Sequence, residues 1–189
     1  FVNLNGTRGA PTFHADQRAA TSNLYGEVRF RPTEPLQLIA GAIYADGFRE
    51  QRQLFNSFMG GVTDITGRAE FDGFSPKLGV LFDANDNIQL FANYSRSVEF
   101  PGFIEVAQVA SFVNLEPQRA WTAEIGTRGR AGAVEWDLAA YRADIEGELL
   151  QFTIGPDIPA STFNAGDTIH QGIEAALSID LTPWARLRQ

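Results

Sequence analysis

Alternation of apolar and polar residues, in runs of about ten, constrains this chain more than any other feature. In QGIEAALSIDL (171–181), Ile173, Ala175, Leu177, Ile179 and Leu181 share one parity; Gly172, Glu174, Ala176, Ser178 and Asp180 share the other. Successive residues of a strand point to opposite faces, whereas a helix would scatter those five apolar residues around its circumference. The pattern recurs. Leu24, Gly26, Val28 and Phe30 oppose Tyr25, Glu27 and Arg29, and Leu36, Leu38, Ala40, Ala42 and Tyr44 follow, blurred by Ile39 and Ile43. Phe74, Pro76, Leu78, Val80 and Phe82 oppose Ser75, Lys77, Gly79 and Asp83, and Ile88, Leu90, Ala92 and Tyr94 oppose Gln89, Phe91, Asn93 and Ser95. Trp121, Ala123, Ile125 and Thr127 oppose Thr122, Glu124, Gly126 and Arg128, and Val134, Trp136, Leu138 and Ala140 oppose Glu135, Asp137 and Ala139. The spacing predicts seven strands and the start of an eighth at Trp184.

The connections alternate too. RPTEP (31–35), DANDN (83–87), Ala131–Gly132 and Thr182–Pro183 carry Pro, Gly, Asn or Asp where tight turns need them. Long connections at 47–67, 98–117 and 147–166, and the stretch before Ser22, lie between the hairpins. An up-and-down antiparallel sheet built this way has all its short turns at one end and its long loops at the other.

Composition narrows the function classes. Lys plus Arg is 15 against 23 Asp plus Glu, a net charge of −8 with no basic run, which argues against nucleic-acid binding. Absence of cysteine removes disulfide scaffolds, Cys-zinc sites and thiol catalysis. His14 and His170 are far apart and no H-E-x-x-H or G-x-S-x-G occurs, so neither a metal site nor a nucleophile elbow is expected. Asp144, Glu146 and Glu148, at spacing two, read as a solvated strand face ahead of a glycosidase pair. The chain is expected not to be an enzyme. Uncharged stretches such as 35–45 fall well short of the roughly 20 residues of a spanning helix.

A soluble sandwich also alternates, but three features favour an antiparallel up-and-down transmembrane β-barrel segment. The strands exceed the five or six residues common in soluble sheets. Ten residues tilted by about 45° span roughly 23 Å, close to the apolar band of an outer-membrane barrel. Aromatics end the apolar face on both sides: Phe30, Phe82, Trp136 and Trp184 by the short turns, Tyr44, Phe74, Tyr94 and Trp121 toward the long loops. Such rows match interfacial girdles. Glu27, Arg29, Lys77, Glu124, Arg128 and Glu174, with Arg96 and Arg119, are expected to line a watery lumen, mostly as ordinary wall pairs.

FSPKLGVLFDANDNIQLFANYSRSVEFPGF (74–103) resembles the barrel of TonB-dependent outer-membrane receptors, in particular the siderophore-receptor branch. LEPQRAWTAEIGTRGR (115–130) and NAGDTIHQGIEAAL (164–177) are similar to further strands of that family. The resemblance implies an all-β chain contributing seven or eight strands to a 22-stranded barrel. With no plug or TonB-box segment recognisable, residues 1–189 are read as one partial barrel domain, not transport-competent alone. It further implies the outer membrane of a Gram-negative bacterium, uptake of a ferric siderophore or similar iron chelate, and energy from TonB–ExbB–ExbD through the plug. Surrounding lipid and lipopolysaccharide are the other expected contacts. No cofactor is expected, iron entering only within the transported chelate.

In that family the outer loops capture the ligand. Arg49, Arg52 and Arg68 bracket a segment bearing Phe48, Phe55 and Phe58, and guanidinium groups suit anionic chelates. The same arginines could be solvated or meet lipopolysaccharide phosphates. Phe103 and Phe152 are candidates for stacking on a ligand or for holding their loops down. The alternative from another class is a soluble all-β carbohydrate-binding or adhesion module, and a porin-like channel is a third reading.

Overall fold

A computed structural model describes residues 13–56, 65–108, 111–153, 161–182 and 185–188, with the side chains of 13, 54–56, 182, 185, 186 and 188 left aside. The expected positions Phe58 and Trp184 lie outside these residues, as does the side chain of Phe55.

Eight strands form one antiparallel sheet in chain order: β1 (Phe13–Thr33), β2 (Leu36–Asn56), β3 (Gly67–Asn85), β4 (Ile88–Glu99), β5 (Gln118–Ala131), β6 (Val134–Glu146), then β9 (Thr168–Thr182) and β10 (Ala185–Arg188). A separate hairpin, β7 (Leu149–Phe152) with β8 (Ser161–Asn164), and a short helix α1 (Phe103–Val106) occupy the long connections. Two-residue turns at Glu34–Pro35, Asp86–Asn87 and Gly132–Ala133 join the hairpins at one end. Gly132 takes φ +59°, the left-handed region that glycine enters at least cost.

The register converts each strand's alternation into level rows. Phe30, Leu38, Val80, Ala92, Ile125, Ala140 and Ile173 lie opposite one another across seven strands on the apolar face. The row Arg29, Ile39, Gly79, Asn93, Glu124, Tyr141 and Gly172 runs beside it on the polar face. Nothing covers the apolar face among the described residues: Ile173 is 81% exposed, Leu24 75% and Ile125 65%. Among the described residues no second sheet packs against this face as a sandwich would require.

Two expectations need correction. The segment 47–56 is strand, not loop, because β2 continues in register with β1 and β3 well beyond Tyr44. β1 likewise begins at Phe13, far ahead of Ser22, so the first two strands are 21 residues each. The buried apolar residues (Ile65, Ala69, Phe71, Val106, Leu115, Ala120 and Ile145) all lie toward the long-loop end. There the alternation changes phase. In β3, Ala69, Phe71 and Gly73 are buried on the polar-face parity, while Arg68, Glu70 and Asp72 extend the apolar-face parity.

Ile125→Arg, in the middle apolar row, is expected to cost the intact protein in phospholipid vesicles about 2–4 kcal/mol. Thr122→Arg, on the polar face, should cost far less. Equal losses on chemical denaturation would contradict the two-solvent reading of the sheet.

Candidate functional site

Two regions carry chemistry: the wall formed by the polar face and the long-loop end above it.

On the wall, Glu27 of β1 forms an ion pair with Lys77 of β3, two strands away, and another with Arg29 at 2.7 Å. Lys77 reaches across the intervening strand because position 41 is glycine. A Cβ there would stand 2.9 Å from Lys77 Cε and 3.0 Å from the Gly26 carbonyl oxygen. Asn93 Nδ2 donates to Glu124 Oε2 at 2.6 Å. Arg128 donates to Gln89 Oε1 through Nε (2.9 Å) and Nη2 (2.5 Å), and Gln89 Nε2 donates to Asp83 Oδ1 at 2.5 Å. Asp137 and Glu174 have no partner among the described residues. Glu27, Arg29, Lys77, Glu124, Arg128 and Glu174 thus share one face.

Arg96 does not join them. It lies opposite Trp121 in the register, on the face of Tyr94, and its guanidinium carbon sits 5.9 Å from the Trp121 ring centroid. Arg119 shares that parity. Position in the strand overrides the expectation drawn from their charge.

The aromatics of the apolar face stand at staggered levels, Phe30 in the row of Leu38, Val80 and Ile125. Tyr94 and Trp121 stack with centroids 4.9 Å apart, and Tyr44 lies opposite Phe74. Near the short turns, Phe82 lies opposite Leu36 and Trp136 opposite Gly129. A Cβ at Gly129 would meet the Trp136 ring at 2.7 Å, so the ring lies over the bare backbone. Residues 121 and 129 are eight apart on β5, about 26 Å along a strand and roughly 20 Å once tilted.

At the long-loop end, residues 100–108 and 111–117 fold back over the upper part of β3. Val106 is fully buried against Ala69 and Phe71, with Phe100, Phe103 and Phe112 around them, and Phe71 stacks on Phe100 at 5.6 Å. Gly67 is needed here, since a Cβ would overlap Phe112 at 2.3 Å. The β7–β8 hairpin is tied to this segment by amides. Asn164 Oδ1 accepts from the Glu116 N–H at 2.9 Å, and its Nδ2 donates to the carbonyls of Glu116 (2.8 Å) and Gly147 (2.9 Å). Gln108 Nε2 donates to the Thr162 carbonyl at 2.7 Å, and Gln118 Oε1 accepts from the Leu149 N–H at 2.9 Å. The hairpin therefore holds Leu150, Phe152 and Phe163 out to solvent, the two rings edge-to-face at 5.3 Å.

The expected ligand residues are dispersed. Arg49 lies on the polar-face parity and donates to Thr21 Oγ1 at 3.4 Å and the Phe48 carbonyl at 2.9 Å. Arg52 and Arg68 lie on the other parity. Arg68 pairs with Glu50 (3.2 Å) and Glu70 (2.8 Å) and covers the Phe48 ring at 4.2 Å. Phe103 packs against the Val106 cluster and Phe152 is exposed in the hairpin. Gly41, Gln108 and Asn164 had no place among the expected residues; Asn164 joins segments 48 residues apart, a separation that periodicity does not see.

Asn164→Ala leaves the Glu116 and Gly147 backbone groups without their partners, a cost of about 1–3 kcal/mol. Faster amide exchange is expected in 111–117, 147–153 and 161–166 with β1–β2 unchanged. Uniform exchange across these segments and β1–β2 would show that the amide tie is not local.

A family model described as TonB dependent receptor-like, beta-barrel, matches residues 1–188. The metal-pseudopaline receptor CntO of Pseudomonas aeruginosa (strain UCBPP-PA14) is 26% identical over 179 residues, covering 92% of this chain and 23% of that protein. Among solved structures, the copper transporter OprC superposes with a TM-score of 0.78 at 16% identity, over 89% of this chain and 27% of its own. The ferric yersiniabactin uptake receptor FyuA from Yersinia pestis gives 0.73 at 16% identity, over 89% and 25%. The pyoverdine receptor FpvA of Pseudomonas aeruginosa PAO1 gives 0.67 at 22%, over 100% and 27%. The chain spans about a quarter of the length of these proteins.

Proposed function

Because the chain belongs to the TonB-dependent receptor β-barrel family, whose members are transporters of the Gram-negative outer membrane and not enzymes, we propose that the intact protein takes up a ferric siderophore or similar metal chelate with energy passed from TonB. The apolar rows then face lipid and the aromatic rows mark its two interfaces. The charged wall lines the lumen, where its groups stay wet or pair across strands.

The β1 and β10 edges have no partner strand among the described residues. In a bilayer such edges have to be paired, because hydrocarbon offers no substitute for backbone hydrogen bonds. The remainder of a longer barrel supplies those strands, and TonB and its ExbB–ExbD partners act through a plug in the whole protein.

The observation that carries the reading is the tied hairpin at the long-loop end. Leu150, Phe152 and Phe163 form an exposed apolar surface on the rim, next to a segment whose own apolar residues are buried. Exposed apolar patches of this kind mark binding surfaces. Arg49 is the arginine of the expected set whose parity turns it toward the lumen. Chelate capture by aromatic contact with Phe152 and Phe163 is consistent with relatives whose names record metal-pseudopaline, yersiniabactin and pyoverdine.

Cells deleted for the native gene and supplied with the intact receptor should accumulate radiolabelled iron from one chelate class among hydroxamates, catecholates and carboxylates, and lose it when TonB is removed. The Phe152→Ala/Phe163→Ala double variant is expected to weaken capture about tenfold, equivalent to 1.4 kcal/mol. Uptake of none of these chelates, or of any other metal chelate offered in parallel, would refute the proposal.

A further inference from the structure

The exposed surface of Leu150, Phe152 and Phe163 stands among carboxylates. Neither 100–118 nor 143–170 contains a lysine or arginine, while Glu105, Glu116, Asp144, Glu146, Glu148 and Asp167 all fall within them. Three of these belong to residues tied to the hairpin or to its flank. The Glu116 N–H donates at 2.9 Å to Oδ1 of Asn164, the neighbour of Phe163. The Glu148 carbonyl accepts from the Ala165 N–H at 2.7 Å. The Glu105 carbonyl accepts from Gln108 Nε2 at 2.9 Å, and the same amide donates to the Thr162 carbonyl at 2.7 Å. Cations to offset these charges are few among the described residues. Arg142 is matched by Asp144, and Arg119 lies opposite Glu146. Arg49, on β2, already donates to Thr21 and to the Phe48 carbonyl. His170 Nε2 stands 3.4 Å from Glu148 Oε1. The Glu116 carboxylate is exposed and has no partner among the described residues.

An aromatic patch ringed by carboxylates sorts solutes by charge. Apolar contact favours a solute that gives up little hydration, and a negative one meets repulsion that reaches about 10 Å at 0.1 M salt. Repulsion of the wrong solute is an ordinary source of specificity. Coordination chemistry makes the distinction large for iron: three hydroxamates cancel the charge of ferric iron, whereas three catecholates leave the complex triply negative. We infer that the rim selects a metal chelate without net negative charge, of the ferric trishydroxamate type. Phe152 and Phe163 supply the contact, and Glu105, Glu116 and Glu148 supply the excluding charge. Guanidinium capture of an anionic chelate, the expectation from the sequence, lacks its cations at this surface. The inference rests on the assignment of chelate capture to this hairpin made above.

Cells deleted for their own chelate receptors are supplied with the intact receptor and offered radiolabelled iron on hydroxamate, catecholate and carboxylate chelates. The hydroxamate is a linear trishydroxamate in three forms: with its terminal amine free, acetylated or succinylated. One scaffold thus carries positive, zero or negative net charge. The chelate taken up best is expected to be uncharged or cationic, and the succinylated form to enter at least about tenfold more slowly than the acetylated one. Best uptake of a catecholate or carboxylate, or equal entry of the acetylated and succinylated forms, would overturn the inference and leave chelate uptake standing. Uptake of none of these, or of any other metal chelate offered in parallel, would remove both. Glu105→Gln/Glu116→Gln/Glu148→Gln keeps side-chain length and removes the charge; it should bring the succinylated form to within about threefold of the acetylated one. An unchanged ratio would show that these carboxylates do not set the selection. Should that variant fail to fold, as judged by heat-modifiable gel mobility, Glu116→Gln gives up no side-chain contact and reads the same shift in smaller measure. No shift there overturns the inference equally.

Discussion

Period-two geometry sorts each strand's residues between two surroundings, and the rest of this structure follows from that sorting. Because register locks neighbouring strands level, the sorting holds across the whole sheet, so Leu38, Val80, Ile125 and Ile173 form one continuous band. No single strand could sustain such a band, since a slip of one residue would exchange its faces. The two-residue turns resist that slip, and Gly129 seats Trp136 against backbone at the same level.

The sorting also reverses toward the long-loop end, at a level that differs from strand to strand. Above Phe74 in β3, Trp121 in β5 and Ala140 in β6, the apolar-face parity becomes charged: Asp72, Arg119 and Arg142. Toward the same end the opposite parity becomes apolar and buried through Phe71, Ala120 and Ile145. One side leaves hydrocarbon for a wet, charged layer while the other receives folded-back loops.

Strand positions and faces were legible because alternation is a local property, visible within about ten residues. The reading went astray where residue type was allowed to outweigh parity. Arg96 follows Ile88, Leu90, Ala92 and Tyr94 at steps of two, and Arg68 keeps the parity of Phe74, so both placements were available in the sequence. Strand extents were harder, because 47–56 looks like loop once its apolar alternation stops, although backbone pairing continues there. The long-loop end was least legible: Asn164 to Glu116 and Gln108 to Thr162 are contacts between distant segments, and nothing in either segment's own pattern announces them.

Strand lengths are unequal around the sheet: β1 and β2 have 21 residues, β4 has 12. With the short turns aligned at the base, that difference raises one side of the wall by roughly 30 Å along the strand direction. Within this sheet the wall is therefore tall at β1 and β2 and low at β4, so the folded segment and the aromatic hairpin stand beside a step in the wall.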